Sequence, residues 1–220
     1  MKERPVIFNG EMVRAILDGR KTQTRRVMKV QPKQHDHKNY DAPWACKSPN
    51  YYNTHEADWA CRYCGEGIGM DGRSVYRCPF GQVGDRMWVR ETFGDCGNRL
   101  VYRADTEDGA ASQVKCWVPS IHMPREACRI LLEITAVRVE RLNDISEEDA
   151  EAEGIDMEAL YDSQDCYDCI ADHNMTGRPT VKGAFKYLWE SIYGVDSWSA
   201  NPWVWVIKFK QVSAREVERG

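Results

Sequence analysis

The alternation of apolar and polar positions predicts several strands and a few short helices. Four apolar residues between positions 12 and 17 recur with the spacing of one helix face, shortly after Asn9, a residue type that caps helix N-termini. Two further helices are predicted over 146–154 and 184–193, and each stops at or next to a glycine. The predicted strands are 5–8, 86–92, 99–104, 114–118, 130–142 and 203–209. This mixture predicts an α+β fold, a small β-barrel with short flanking helices, rather than a parallel α/β sheet.

Two long segments interrupt this pattern. Residues 31–80 and 155–182 are rich in polar residues and show no sustained period. A compact domain rarely carries bare loops of that length, so both segments are predicted to be inserts. We therefore expect a single domain over 1–213, with one insert at 31–80 and a second, acidic insert at 155–182.

Composition and charge narrow the range of functions. The chain has 220 residues, of which 42% are hydrophobic, enough to form a core. A net charge of −4 argues against a general nucleic-acid binder, but residues 14–33 carry a net charge of +6 and residues 142–177 one of −12. An anionic ligand is therefore expected near the first of these segments. No apolar run has the length of a signal peptide or a membrane span, which predicts a cytoplasmic protein without membrane association.

The basic segment contains GRKTQTRR at 19–26, which has the order G-x-K-x-x-T-x-R. It follows the predicted end of the first helix and enters an extended block, so its polar side chains are expected at the mouth of a strand. Lys21 and Thr24 would face opposite sides of a regular strand, and they converge only if the strand begins after Lys21. Without that convergence, the segment is a solvated basic edge strand.

This block and four later segments resemble the ASCH domain, a family related to the PUA-like RNA-binding barrels. The turn and strand at 84–89, GDRMWV, and the long strand at 130–142 are similar to elements of that family, as are the acidic helix at 146–154 and the closing strand at 203–209. The segments GDRMWVRETF and WSANPWVWVIKF are most similar to ASCH proteins of phages and prophages. The resemblance covers residues near 5–30, 82–155 and 184–210.

The resemblance implies a catalytic site, because the family includes amidohydrolases that act on N(4)-acetylcytidine. Their lysine, threonine and glutamate correspond here to Lys21, Thr24 and Glu153. Thr24 would be the nucleophile, and Lys21 its base if burial and neighbouring arginines lower the pKa of that lysine. Glu153 would position a water or carry a proton to the leaving amine. The alternative is that Glu153 is an ordinary surface residue of an acidic helix, in which three other glutamates lie close by.

Four arginines are candidate contacts to substrate or nucleic acid, namely Arg20, Arg25, Arg26 and Arg90. A guanidinium group suits bidentate recognition of phosphate or carboxylate. The predicted partner is accordingly a nucleoside or RNA. Glu91 could instead pair with Arg26 or Arg90 in a buried bridge. Two other functions stay open, a non-catalytic RNA-binding module and a ribonuclease.

The nine cysteines favour metal binding over disulfides, because the chain is expected in a reducing compartment. Cys61 and Cys64 have the spacing of a zinc knuckle, with Cys46 upstream and Cys78 downstream. These four residues are predicted to hold one structural Zn²⁺, with His55 as the alternative fourth ligand. The metal would stabilise the 31–80 insert, which has little apolar pattern of its own. The alternative is free buried thiols.

A second cysteine pair lies in the acidic insert. Cys166, Cys169 and His173 form the pattern C-x2-C-x3-H, which supplies three ligands without a local fourth. A second zinc site is one interpretation of this pattern. Unpaired surface cysteines are the other.

Overall fold

The computed structural model describes residues 1–31, 51–55, 58–61, 76–105, 109–162 and 180–212. The strands are β1 Glu3–Ile7, β2 Gln23–Val27, β3 Tyr51–His55, β4 Asp58–Cys61, β5 Tyr76–Arg77, β6 Arg86–Arg90, β7 Phe93–Asp95, β8 Leu100–Tyr102, β9 Trp117–Val118, β10 Leu131–Arg141 and β11 Trp203–Gln211. The helices are α1 Gly10–Leu17, α2 Glu147–Ala152, α3, described over 157–162, and α4 Val181–Tyr193. Short 3₁₀ helices lie at Gly109–Gln113, Ser120–His122, Arg125–Ala127, Leu142–Asp144 and Val195–Ser197. The predicted α+β class is confirmed.

A five-stranded sheet with the order β1-β6-β10-β11-β2 forms the centre of the fold. β1 and β6 pair in parallel, and the other neighbours pair antiparallel. Within the described residues, β1 and β2 are the edges of this sheet, so its strand pairing does not close into a barrel. The two edges still approach each other, because Arg26 of β2 donates a hydrogen bond of 2.7 Å to the carbonyl oxygen of Ile7 in β1. The more specific expectation of a PUA-like ASCH barrel stays a prediction.

Two smaller sheets accompany the central one, with the orders β8-β7-β9 and β3-β4-β5. The second of them belongs to the segment predicted as the 31–80 insert. Most of that segment, and most of 155–182, lies outside the described residues. The single domain over 1–213 with two inserts therefore stays a prediction.

Strand β11 is buried on both faces, which explains why the sequence near 203–209 is almost continuously apolar. Trp203, Trp205 and Ile207 belong to the core on one face of the sheet. Val204 and Val206 pack on the other face with residues of α2 and α4. A strand covered on both sides needs apolar residues at successive positions. This second core cluster holds α2 and α4 against the strand that pairs with β2.

The helix ends agree with the local sequence signals. The side chains of Asn9 and Ser146 cap α1 and α2 by accepting hydrogen bonds from backbone N–H groups of the first turns. Glu153 is the C-cap of α2, and Gly154 follows with a φ of +94°, a conformation that favours glycine. This turn directs Glu153 towards the segment before β2. No helix among the described residues has both the length and the apolar character that crossing a bilayer requires.

The Gly154→Ala variant is expected to be less stable than a matched Gly19→Ala variant. Both glycines have positive φ, +94° and +76°, so either alanine adds backbone strain of about 1–2 kcal/mol. A Cβ at Gly154 would also lie 2.8 Å from the Cβ of Lys21 and 2.9 Å from that of Ala15, whereas a Cβ at Gly19 meets nothing within 4 Å. Urea unfolding should show an additional loss of about 1–3 kcal/mol for Gly154→Ala. Equal free energies of unfolding would contradict the tight contact between this turn and Lys21.

Candidate functional site

Lys21 and Glu153 form a buried ion pair immediately before β2. The Nζ of Lys21 donates to a carboxylate oxygen of Glu153 at 3.0 Å and to its backbone carbonyl oxygen at 2.7 Å. The two residues also form an isolated backbone bridge, and their side chains are 0% and 3% exposed. β2 begins at Gln23, after Lys21. This start meets the condition under which the side chains of Lys21 and Thr24 need not face opposite sides of one strand. The three other glutamates of the helix, Glu147, Glu148 and Glu151, are exposed.

Arg25 joins this pair in a larger buried network. One of its guanidinium nitrogens donates to the second carboxylate oxygen of Glu153 at 3.0 Å, and the other donates to Glu140 at 3.0 Å and Asp149 at 2.9 Å. Arg138 contacts Glu140 and Asp149 from the far side. The Arg25 side chain is fully buried. Three carboxylates thus engage both terminal nitrogens of the Arg25 guanidinium, whereas its buried Nε has no hydrogen-bond partner among the described residues. The predicted contact between Arg25 and a ligand stays a prediction.

Thr24 lines a cavity of about 230 Å³ together with Glu153 and Arg26. The rest of the lining is mostly apolar and comes from β1, β2, α1 with its N-cap, and α4: Ile7, Asn9, Met12, Arg25, Phe185, Leu188, Trp189, Ile192 and Tyr193. No hydrogen bond to the Thr24 hydroxyl comes from the residues that the structure describes. The hydroxyl is therefore available to a molecule in the cavity.

A second cavity of about 450 Å³ adjoins the first and shares Met12, Glu153 and Leu188 with it. Its other walls come from α1, α4 and the turn after α2: Glu11, Arg14, Arg20, Gly154, Ile155, Asp156, Tyr187 and Ser191. The two cavities share these walls between α1 and α4, and we refer to them together as the cleft. The larger cavity alone is within the range of roughly 300–1,000 Å³ that holds small ligands.

Burial controls the protonation of Lys21. Desolvation lowers the pKa of Lys21 below the ordinary lysine value, and the charges of Arg26 and Arg25 lower it further. The Glu153 carboxylate acts in the opposite direction but does not cancel the effect of burial. A lysine with a lowered pKa loses its proton closer to neutral pH, which is the property that a general base needs.

Two of the other candidate arginines also lie at the cleft. Arg26 lines the smaller cavity, and its guanidinium carbon lies 5.2 Å from the ring centre of Phe8. Arg20 lines the larger cavity, where it donates to Asp18 at 2.9 Å and to the carbonyl oxygen of Gly154 at 3.1 Å. Arg20 and Arg26 therefore lie at the cleft without taking part in the buried network of Arg25, and a ligand in the cleft can contact them.

Arg90 and Glu91, at the end of β6, line neither of these two cavities. Arg90 donates a hydrogen bond to the carbonyl oxygen of Ile121. Glu91 does form a buried bridge, but with Arg129 rather than with a candidate arginine, through two hydrogen bonds of 2.9 Å. Sequence reasoning missed Arg129 because no spacing or periodicity connects positions 91 and 129.

The predicted zinc ligands are described only in part. Cys78 is buried in the core, and burial raises the pKa of its thiol to about 11. No cluster of three or more His, Cys, Asp or Glu side chains suited to a metal occurs within the described residues. Both zinc sites stay predictions, because for the other candidate ligands the structure describes at most the backbone: Cys46, His55, Cys61, Cys64, Cys166, Cys169 and His173.

Comparisons with known proteins found no match for this chain. No protein-family model, no curated protein and no solved structure matches it. The assignment of a function therefore depends on the geometry of the cleft and on the motif at 19–26.

Proposed function

We propose that the protein is an ASCH-type amidohydrolase that removes the acyl group from N(4)-acetylcytidine-like nucleosides. The observation that carries the proposal is that Glu153 connects the buried Lys21 to the cavity that Thr24 lines. Lys21 is buried against Glu153, and Glu153 lines the same cavity as Thr24. Burying a lysine and a glutamate is costly, and perturbed ionisable groups at a cavity are typical of functional sites.

The reaction divides into two steps. The Thr24 hydroxyl oxygen attacks the acyl carbonyl carbon, and neutral Lys21 accepts the hydroxyl proton. The bond between the acyl carbon and the N(4) nitrogen breaks, Lys21 returns the proton to the leaving amine, and an ester on Thr24 remains. Water then attacks the ester carbon while Lys21 accepts its proton, and Lys21 passes this proton to the Thr24 oxygen as the ester bond breaks. Acetate leaves, Thr24 and neutral Lys21 are regenerated, and one water is consumed per amide. Glu153 holds the Lys21 side-chain nitrogen in place through both steps.

The lining of the cleft supports a nucleoside as the substrate. Met12, Leu188 and Trp189 provide apolar walls for a planar base, while Asn9 and Arg26 supply polar groups. Apolar walls with a few polar groups are typical of small-molecule sites. A site for single-stranded RNA would instead need a basic groove that follows the phosphates.

The purified protein is expected to convert N(4)-acetylcytidine to cytidine and acetate, with kcat/KM rising with pH. The rise follows from the base, because Lys21 must be neutral and its pKa lies below the ordinary value of 10.5. The rate should therefore level off at a pH below that value. Mass analysis of the products across a pH series measures both results. Absence of hydrolysis with several different acyl groups would contradict the proposal.

The alternatives are a non-catalytic RNA-binding module and a ribonuclease. In either case the basic segment would contact phosphates, so affinity for short RNA should fall steeply with salt. Short RNA in the same assay distinguishes them. Binding without acyl hydrolysis would support the RNA-binding module, and cleaved RNA would support the ribonuclease.

A further inference from the structure

We propose that Arg25 is a positioning residue that fixes the Glu153 carboxylate against Lys21. This inference rests on the proposed function, because it gives Arg25 a role in the proton transfers at Lys21. The ligand contact that the sequence predicts for Arg25 stays a separate prediction.

The geometry around Glu153 carries the inference. Its two carboxylate oxygens are divided between two cations, with Lys21 on one oxygen and Arg25 on the other, each at 3.0 Å. All three side chains are buried. A carboxylate held at both oxygens cannot rotate away from Lys21.

Arg25 is itself held from the opposite side. Glu140 and Asp149 each accept a hydrogen bond from its second nitrogen, and Arg138 contacts both carboxylates. The Arg25 guanidinium carbon also lies 6.0 Å from the ring centre of Phe185 in α4. The charged groups around the Lys21–Glu153 pair are Arg25, Arg26, Arg138, Glu140, Asp149 and Lys208.

This arrangement has a consequence for Lys21. Glu153 alone would stabilise the charged ammonium form and keep its proton bound. Arg25 offsets that attraction, and its charge is one of the causes that lower the pKa of Lys21. Removing the charge of Arg25 should therefore raise the pKa of Lys21. If the role of Arg25 were only structural, the pKa of Lys21 would not change.

The test measures the pKa of Lys21 directly, by NMR of the full chain with isotopically labelled lysine. The Lys21 signal is assigned as the one that disappears in Lys21→Met. In Arg25→Met we expect the pKa of Lys21 to rise by on the order of one pH unit. Arg25→Lys should retain most of the wild-type value because the charge remains. Arg138→Met is the matched control, since it removes a charge from the same network without touching Glu153, and its Lys21 titration should stay within a few tenths of a pH unit.

Turnover provides the second measurement. The pH at the midpoint of the kcat/KM profile should rise in Arg25→Met by the same amount as the pKa of Lys21 measured by NMR. An unchanged Lys21 titration and an unchanged midpoint in Arg25→Met would overturn the inference. If the wild type titrates as expected but hydrolyses no acyl cytidine, the proposed function fails while the electrostatic role of Arg25 stands.

A second variant keeps the inference testable if Arg25→Met does not fold. In Arg25→Lys the single ammonium group cannot bridge Glu153 and Asp149 at once, so Glu153 is less well oriented. We expect kcat to fall by roughly 10- to 100-fold with KM unchanged. A kcat equal to that of the wild type would overturn the positioning role.

Discussion

The Thr24→Val variant is expected to lose hydrolysis of N(4)-acetylcytidine by about 10⁴-fold or more, the scale on which removal of a nucleophile acts. Valine keeps the branched shape of threonine in β2 and removes only the hydroxyl. No described residue forms a hydrogen bond to that hydroxyl, so its removal leaves no buried group without a partner. The urea midpoint should accordingly remain that of the wild type.

Two matched variants support this measurement. Thr24→Ser retains a hydroxyl and should keep part of the activity, reduced because serine has more freedom at χ1. Thr22→Val makes the same change two residues earlier, at an exposed position of the same segment, and should be fully active. Hydrolysis by Thr24→Val at the wild-type rate would exclude a threonine ester intermediate.

The Glu153→Gln variant is expected to lose both stability and activity. The glutamine amide keeps one acceptor oxygen, but its NH2 group places a donor where the carboxylate accepted the other of the hydrogen bonds from Lys21 and Arg25. It also removes the negative charge, so two buried cations lose their common counter-charge. Breaking a buried ion pair in this way costs roughly 3–5 kcal/mol. Turnover should fall by about 10²–10⁴-fold if Glu153 supports the proton transfers. Urea unfolding and product analysis measure the two losses separately.

A double variant separates the pair from the rest of the network. Lys21→Met combined with Glu153→Gln removes both charges, so its free energy of unfolding should fall by less than the sum of the two single losses. Activity should not return, because the base is absent. The control Glu151→Gln alters an exposed glutamate of the same helix and should change neither quantity. Additive losses of stability in the double variant would show that Lys21 and Glu153 do not act as a pair.

The local elements of the fold could be predicted from sequence because their signals are local. Asn9 caps the helix that it was expected to cap, and the long strand predicted over 130–142 is β10, Leu131–Arg141. The hydrophobic periodicity of an element and its capping residues lie within a few positions of one another, so both can be recognised in a single sequence. The parallel pairing of β1 with β6 has no comparable local signal.

The charged network could be predicted only in part. The motif and the resemblance identified Lys21, Thr24 and Glu153, but the residues that hold Arg25 lie far away in the chain. Glu140 is 115 positions from Arg25, and Asp149 is 124. Charged residues that pair over such separations in the sequence produce no periodicity or characteristic spacing. Sequence reasoning therefore assigned Arg25 to a ligand, as its residue type suggests, rather than to the buried carboxylates.

The position of β2 in the sheet determines when the cleft can be assembled. In the described sheet β2 pairs with β11 alone, and Thr24 lies opposite Ile207. During synthesis at about 5–20 residues per second, roughly 10–40 s separate these two residues. Contacts of such high sequence separation also slow folding, because the intervening chain must be ordered first. β2, which carries Thr24, therefore has no partner strand in the sheet until β11 has been synthesised. A chain that ends before residue 203 would lack the cleft even though its motif at 19–26 is complete.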